Sequence, residues 1–397
     1  MFKYRYKSLR GEVRAVTHNG VFRKQISLFE GVALIVSGTI GAGVLGLPFA
    51  IAKVGVFLGV LYIIAVGALM IGLNLLLGSI AVRTKQKMQL VGFAEKYLGK
   101  PWKYVMTFLL YLMLWGVLVI YIIGEGRVLA ELFGGSEFFW STIFFTFVAL
   151  FIYIGINTIK VIELFLSMGV LAVVLILTIY SAPHMEVASL QHINFANLLL
   201  PYGILLFAFH GTTAVPEAHS ILIKNKTNFK KAIIISGIIS IIVYALFSAV
   251  VVGVTGQVTS EIATIALGSK LGVKIFLLGN LFAVLAMGTS CLMAGLALRD
   301  SMSWDFKISQ GLATLLVCGV PFLIFVLGIR QFIAAMDIVG GVFMSFEMLL
   351  ILAIYWRAKQ KGDLKVGKYK LYHTTLLFIL LLFALSVGAV YSVIKLF

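Results

Sequence analysis

From residue 28 onward the chain alternates long apolar stretches with short polar ones. The apolar stretches cover about 28–53, 55–80, 104–131, 137–156, 158–181, 197–222, 232–256, 271–297, 311–329, 331–356 and 373–396. A transmembrane helix needs about 20 apolar residues, and these runs have that length. They lack the short alternation of a membrane β-barrel. A lipid-exposed backbone must satisfy its own hydrogen bonds, so eleven α-helices are expected. Residues 84–101 are basic and amphipathic and predict an interfacial segment. Residues 257–269 predict a short surface helix. Ser27 and Glu30 have the spacing of a capping box, which predicts a helix start at that point.

Composition narrows the class. Hydrophobic residues make up 61% of the 397 and charged residues 12%, against roughly 45–50% and about 25% in soluble domains. A soluble enzyme, a disordered chain and a disulfide scaffold are excluded. The net charge of +17 would suggest a nucleic-acid partner in a soluble protein, but here it is sorted along the chain. Of the 32 Lys and Arg, 26 fall in alternate polar segments, chiefly 1–27, 83–103, 224–231 and 357–370. The intervening segments hold only Lys53, Arg127, Lys270, Lys274, Arg330 and Lys395. The positive-inside rule then places the N-terminus in the cytoplasm. An odd number of spans puts the C-terminus outside, in a multi-pass plasma-membrane protein with no nucleic-acid partner. Residues 1–27 are too long and polar for a signal-peptide n-region, so the first span is expected to be uncleaved. Cys291 and Cys318 lie inside apolar runs and imply no disulfide framework.

Two spans carry helix breakers at their middle. The first contains Ser37-Gly38-Thr39-Ile40-Gly41-Ala42-Gly43-Val44-Leu45-Gly46-Leu47-Pro48, the sixth Phe209-His210-Gly211-Thr212-Thr213-Ala214-Val215-Pro216-Glu217. Five spans starting with each break cover 28–181 and 197–357, and five is odd, so the second set enters the membrane from the opposite side. Paired broken helices in an inverted repeat mark the binding site of many secondary transporters. The expected organisation is a cytoplasmic tail (1–27), a first repeat (28–181), an extracellular loop (182–196), a second repeat (197–357), a cytoplasmic loop (358–372) and an eleventh helix (373–397).

Gly41-x-Gly43-x-x-Gly46 also matches a dinucleotide fingerprint, but that motif needs a preceding strand and an acid about 20 residues on. No Asp or Glu occurs between Glu30 and Glu95. Glycine instead lets the backbone leave the helix. The N–H groups opening the second half-helix then suit a carboxylate, and the carbonyls closing the first suit an ammonium or a cation. An amino acid zwitterion presents both charges; close packing through small residues is the alternative.

On span six, His210 is read as a substrate contact, a proton-handling group, or a histidine bonded to a carbonyl. Glu217 is read as a cation ligand, a proton carrier or a brace, and Thr212 and Thr213 as donors at the break. On span eight, Ala286, Thr289 and Ser290 offer oxygens suited to a hard cation, although such hydroxyls also bond back to their own helix. Tyr111, Trp115 and Tyr121 on span three serve packing or a pocket wall, Tyr121 being the chosen wall. Glu125, beside Arg127, is expected at the interface, and Arg299 with Asp300 at the cytoplasmic surface by snorkelling. Glu163, Asp337 and Glu347 are further buried acids, and Glu347 has no evident partner.

Gly38-Thr39-Ile40-Gly41-Ala42-Gly43-x-Leu45-x-x-Pro48 resembles the first-helix signature of the aromatic amino acid permeases and the related amino acid/auxin permeases. Phe93-Ala94-Glu95-Lys96-Tyr97-Leu98-Gly99, Tyr121-Ile122-x-Gly124-x-Gly126 and Phe207-x-Phe209-His210-Gly211 with Pro216 resemble their first cytoplasmic loop, third helix and sixth helix. The resemblance implies the five-plus-five inverted repeat (LeuT-type fold) of the amino acid–polyamine–cation superfamily, all-α, with 11 transmembrane helices and helices 1 and 6 unwound. It implies cation-coupled uptake of an L-amino acid, aromatic or neutral, by alternating access, with no cofactor beyond Na+ or H+ as coupling ion. Substrate would contact Thr39, Gly41, Ala42, Gly43, Tyr121, Phe207, His210, Gly211 and Thr212, with Glu217 in coupling or gating. Ala286-x-x-Thr289-Ser290 is similar to the sodium-site motif of LeuT-type carriers, whose first-helix partners map to Ser37 and Ile40. In proton-coupled relatives a lysine inside span five replaces sodium. Here only Lys160 lies there, at the cytoplasmic edge, whereas bacterial aromatic permeases are generally taken as proton symporters, so the ion stays open. The segment between Gly211 and Pro216 is longer than in the aromatic permeases, and the identity of the amino acid stays open with it. Partners are the amino acid, the cation and the bilayer, and a monomer is expected. An exchange-type carrier, a channel and a membrane-embedded enzyme are the rival readings; the chain has no H-E-x-x-H and no G-x-S-x-G.

Overall fold

The computed structural model describes residues 23–155, 159–222 and 225–395; the side chains of 23–27, 159–168, 221 and 304–305 lie outside that description. The expectations placed on Lys160, Glu163, the tail 1–22 and the last two residues therefore fall outside it. Among the described residues there are helices and no strands. The first half comprises α1 (Arg23–Thr39), α2 (Gly43–Val54), α3 (Val56–Arg83), α4 (Leu90–Leu98), α5 (Lys100–Phe133), α6 (Glu137–Ile154) and α7 (Ile159–Ser181), followed by a short α8 (Val187–Leu190). The second comprises α9 (Pro201–Phe209), α10 (Ala214–Leu222), α11 (Lys226–Thr255), α12 (Ala263–Leu271), α13 (Val273–Asp305) and α14 (Gln310–Val326). It ends in a rod of α15 (Phe332–Ile338), a π-helical turn (Val339–Met344) and α16 (Ser345–Lys361), with α17 (Thr374–Ile394) after it.

Each of the eleven apolar stretches falls on helix. Among the described residues seven single helices are long and apolar enough to cross a membrane, and α1 with α2, bent by 59°, makes an eighth if the pair is one span. The expected eleven is not reached by that measure. The sixth stretch is split into two helices of 9 residues, α14 has 17, and α7 is described in full only from Gly169. Helix α1 opens at Arg23, so Ser27 and Glu30 lie inside it and do not cap it. The residues before Ser27 (Arg-Lys-Gln-Ile) carry enough helix propensity to extend the turn. The amphipathic segment is α4, which buries Leu90, Phe93, Ala94 and Tyr97 against α5 and α16. The 257–269 segment holds α12.

The chain linking the two halves caps the end of α2. Asn194 N–H donates to the Val54 carbonyl at 2.9 Å and the Asn197 side chain to that of Lys53 at 3.1 Å. Gly55, at φ +100°, makes the turn between α2 and α3. In the second half, α9 lies on the π-helical turn. A Cβ at Gly340 would stand 1.9 Å from the Gly203 carbonyl oxygen, so two backbones touch there with no room for a side chain. Gly340→Ala is accordingly expected to cost about 1–3 kcal/mol by overpacking, read as a lowered Tm of the detergent-purified protein; an unchanged Tm would show that α9 is free to shift.

At the end of the bundle bearing α4, Asp363 ties the loop after α16 to the start of the amphipathic segment. Its carboxylate accepts from Lys96 Nζ and, at 3.0 Å, from the Lys85 N–H. The hydrogen bond from Lys96, then that from Lys85, holds the Asp363 carboxyl below its ordinary value. A depressed folded value means that the clasp contributes fully above the unfolded carboxylate range, about pH 4, and is lost as pH falls through the folded value. Amide-exchange protection of residues 363–370 should therefore fall on acidification below pH 4 in the native chain. Asp363→Asn should remove that pH dependence.

Candidate functional site

The helix interruptions sit where glycine and the following proline make continued α-helix costly. Helix α1 stops at Thr39 and α2 resumes at Gly43; α9 stops at Phe209 and α10 resumes at Ala214. Short i→i+3 bonds restart α2, from Val44 to Gly41 (3.2 Å) and Leu45 to Ala42 (3.0 Å), and α10, from Ala214 to Gly211 (3.2 Å). Among the described residues the N–H groups of Gly41, Ala42 and Gly43 make no backbone hydrogen bond outside the helices. His210 leaves the helix in an extended conformation, φ −68° and ψ 113°.

The two breaks touch. A Cβ at Gly211 would stand 2.3 Å from Thr39 Oγ1, one at Gly43 2.7 Å from Ala208 Cα, and one at Gly38 2.8 Å from Ala214 Cβ. The Tyr244 hydroxyl of α11 lies 2.9 Å from the Thr39 carbonyl and 2.7 Å from that of Ala208. One phenolic proton is thus shared between carbonyls at the ends of both first half-helices. Its ring packs edge-on against Phe209, with centroids 4.9 Å apart. Gly41 differs from the other break glycines: a Cβ there would meet nothing within 4 Å. The backbone at residue 41 therefore faces open space.

The break in span six is closed by a residue from span ten. Glu347 of α16 is 1% exposed. Its Oε1 accepts from the Thr212 hydroxyl at 2.8 Å, and its Oε2 lies 2.7 Å from His210 Nε2. Thr212 Oγ1 and His210 Nε2 are 3.1 Å apart. With the proton on Nε2, two donors converge on one buried carboxylate. Glu347 thus has partners, and they are the two polar groups singled out on span six. The signal in the sequence was an acid without an evident partner in one apolar run and a histidine deep in another. Tyr244 had no such signal.

The remaining expected residues divide. Thr39 and Ile40 lie at the first break, and Gly211 and Thr212 are buried at the second. Phe207 is buried on α9 and Tyr121 on α5. Thr213 and Glu217 are exposed, Glu217 in the first turn of α10. In the expected cation set, Ala286 is buried and Ser290 half-buried. The Thr289 hydroxyl donates to Leu285 (2.8 Å) and Ala286 (3.3 Å), and Ser37 to Leu34 (3.0 Å). Both hydroxyls are engaged within their own helices. Two surface expectations are corrected. Glu125 is not interfacial: it is 0% exposed, because α5 places it under α13 while Arg127 turns away to Glu137 and Glu261. Arg299 does not snorkel: it is buried, caps the Ile152 carbonyl near the end of α6 and pairs with Asp300 at 2.7 Å.

Two helices broken in corresponding positions, in contact, within an all-α bundle of apolar spans define a multi-pass carrier of the LeuT-type fold. Solved structures agree with that fold. MhsT in complex with L-phenylalanine superposes with a TM-score of 0.65 at 15% identity, over 92% of this chain and 98% of that one. A manganese transporter of Eremococcus coleocola superposes with 0.70 at 13% identity, over 96% and 90%. The chain belongs to the tryptophan/tyrosine permease family, which matches residues 24–392. Relatives include tyrosine-specific transport system 1 of Haemophilus influenzae, 26% identical, over 83% of this chain and 88% of the relative. Glutamine transporter 2 of Aliivibrio fischeri is 25% identical, over 83% and 89%. The family and its relatives are transporters, so the membrane-embedded enzyme is set aside.

Removing one member of a buried hydrogen-bonded network leaves its partners unsatisfied, at about 1–3 kcal/mol. Glu347→Leu should therefore lower the Tm of the purified protein strongly. Glu347→Gln, which keeps an acceptor for Thr212, should lower it less. Equal losses would show that the carboxylate acts by packing alone.

Proposed function

We propose that this chain is a secondary active carrier of L-amino acids, working by cation-coupled alternating access in the plasma membrane, with its N-terminus in the cytoplasm and its C-terminus outside. The observation that carries the reading is the contact of the two helix breaks beside the open space at Gly41. A substrate carboxylate would sit on the N–H groups of Gly41, Ala42 and Gly43, at the positive end of α2. Its ammonium would face the carbonyls ending α1 and α9. Its side chain would lie toward Tyr121, Phe207 and His210, with Thr39, Gly211 and Thr212 framing the site. Relatives named for tyrosine and glutamine support an amino acid as cargo and set the first panel to test.

The repeats 28–181 and 197–357 would move against each other about this site. Coupling requires that substrate and cation both bind one state better than the other; equal affinity for both states shifts nothing. The sodium reading uses Thr289, Ser290 and Ala286 with Ser37 and Ile40. The proton reading draws support from the buried His210–Glu347 pair and from the engaged hydroxyls of Thr289 and Ser37. Glu217 is assigned to gating, and the carrier acts as a monomer.

Uptake into proteoliposomes of an amino acid panel headed by tyrosine, tryptophan, phenylalanine and glutamine tests the reading under imposed sodium or proton gradients. Saturable uptake that needs a gradient is expected. Gradient-independent flux would indicate a channel, and trans-substrate dependence an exchanger. A Cβ at residue 41 meets no neighbour, so Gly41→Leu begins in open space and should leave Tm near the native value and abolish uptake. Normal uptake in that variant would remove the proposed pocket. Thr289→Ala and Ser290→Ala should abolish any sodium requirement; its survival in both would end the sodium assignment.

A further inference from the structure

Glu125 is a carboxylic acid with no structural employment. It is 0% exposed, neither carboxyl oxygen has a side-chain hydrogen-bond partner, and only the Gly288 backbone N–H of α13 lies toward it. Its neighbours on α5 are glycines pressed against other helices. A Cβ at Gly124 would stand 2.7 Å from Met287 Sδ, and one at Gly126 1.8 Å from Ser141 Oγ. Across from it, a Cβ at Gly288 of α13 would come within 3.2 Å of Glu125 Oε1, so the missing side chain leaves the room that the carboxyl fills.

Several charged groups on the helices around α5 are committed elsewhere. Arg127, two residues along, pairs with Glu137 of α6 and with Glu261. Lys96 of α4 holds Asp363. Asp337 of α15 pairs with Lys395 at 2.6 Å, Glu347 of α16 with His210, and Arg299 of α13 with Asp300. Glu125 and Cys318 of α14 both act electrostatically on the buried thiol of Cys291 on α13, whereas burial and the Gly288 backbone are what act on Glu125 itself. A lone carboxylate ion is strongly disfavoured in such surroundings. The arrangement as it stands accommodates the neutral acid.

A cavity of about 120 Å³ lies beside this position, lined by Ile123, Glu137, Phe138, Ser141, Phe325 and Arg330. Ser141 is the residue against Gly126, so the cavity ends one helix position from Glu125, which does not itself line it. By the distribution of Lys and Arg, its Arg330 end is the extracellular one.

We propose that Glu125 is the proton-binding site of the transport cycle, loaded from the Arg330 side through this cavity. The inference rests on the carrier reading above and makes the coupling cation a proton. On the loading side the carboxylate takes a proton from hydronium, so that an O–H bond forms and water remains. When the packing of α5 against α13 loosens toward the other side, that O–H bond breaks, the proton passes to water, and the carboxylate ion is hydrated until it is reloaded. The neutral acid alone fits the closed packing, so the closed packing and proton occupancy stabilise each other.

The test uses the full-length protein in proteoliposomes with a pH-sensitive dye inside and tyrosine or glutamine as substrate. Counterflow of labelled against unlabelled substrate is measured first. Its absence in the native protein would strike the carrier reading and not this inference. Given counterflow, Glu125→Gln is expected to retain it within about threefold, to lose at least tenfold of the accumulation driven by an acid exterior, and to abolish the substrate-evoked acidification of the lumen. Glu125→Asp should keep the acidification and displace the pH profile of driven uptake. The proposal is overturned if Glu125→Gln still accumulates substrate and acidifies the lumen, or if it depresses counterflow and driven uptake in equal proportion. It is also overturned if the Glu125→Asp profile coincides with that of the native protein.

Discussion

A backbone that leaves the helix inside hydrocarbon exposes N–H and carbonyl groups that lipid cannot satisfy. The placement of every other element near the site follows from how that problem is met. Neither break in this chain stands alone. Glycines 38, 43 and 211 let the two interruptions approach until backbone meets backbone or hydroxyl. Tyr244 then lies between the carbonyls of Thr39 and Ala208 and ties the two first half-helices together. The backbone at Gly41 faces open space. That is the condition under which a polar solute can be held at the middle of a membrane: its charges replace partners that the protein has withheld.

The rod of span ten meets the same constraint from the other side. Its π-helical turn, Val339–Met344, carries two adjacent glycines beneath α9. The wider turn lets α9 lie directly on the rod, and an inserted residue of this kind re-aims the helix that follows. Three residues past the turn, Glu347 reaches the break between α9 and α10 and takes both Thr212 and His210. Span ten thus both packs against the first half of span six and closes its interruption. A change of protonation at His210 or Glu347 would be felt at once by the backbone that frames the site.

Much of this was legible in the chain. The apolar stretches gave the helices, though not a confirmed count of crossings, and the positions of Gly41, Gly43, Gly211 and Pro216 gave both interruptions, because glycine and proline act locally. What depends on one helix meeting another could not be read in that way. Glu347 looked isolated because its partners lie more than a hundred positions away in the chain. Glu125 looked interfacial because Arg127 is close in sequence, yet on a helix two residues apart means nearly opposite faces. Ser27 and Glu30 fitted a capping pattern that the preceding Arg-Lys-Gln-Ile simply overran. The hydroxyls of Thr289 and Ser37 follow the commoner habit of serine and threonine in membrane helices, bonding to the turn before them.

The three buried acids among the described residues can be ranked by what holds them. Asp337 has an ammonium on one oxygen, from Lys395, while the other oxygen lacks a partner. Glu347 has a donor on each oxygen. Glu125 has no side-chain donor on either, only the Gly288 backbone N–H toward it. Partnered acids in a nonpolar interior fix geometry, since removing either member strands the other. An acid without side-chain partners fixes nothing and is costly whenever it is ionised, so packing alone would favour its replacement by an apolar residue of similar volume. Its presence between α5 and α13, next to a cavity with Arg330 and Glu137 in its wall, makes sense if its charge is needed at another point of the cycle. The difference in hydrogen bonding, more than the depth of burial common to all three, separates a group that holds the bundle together from one that can exchange a proton as the bundle moves.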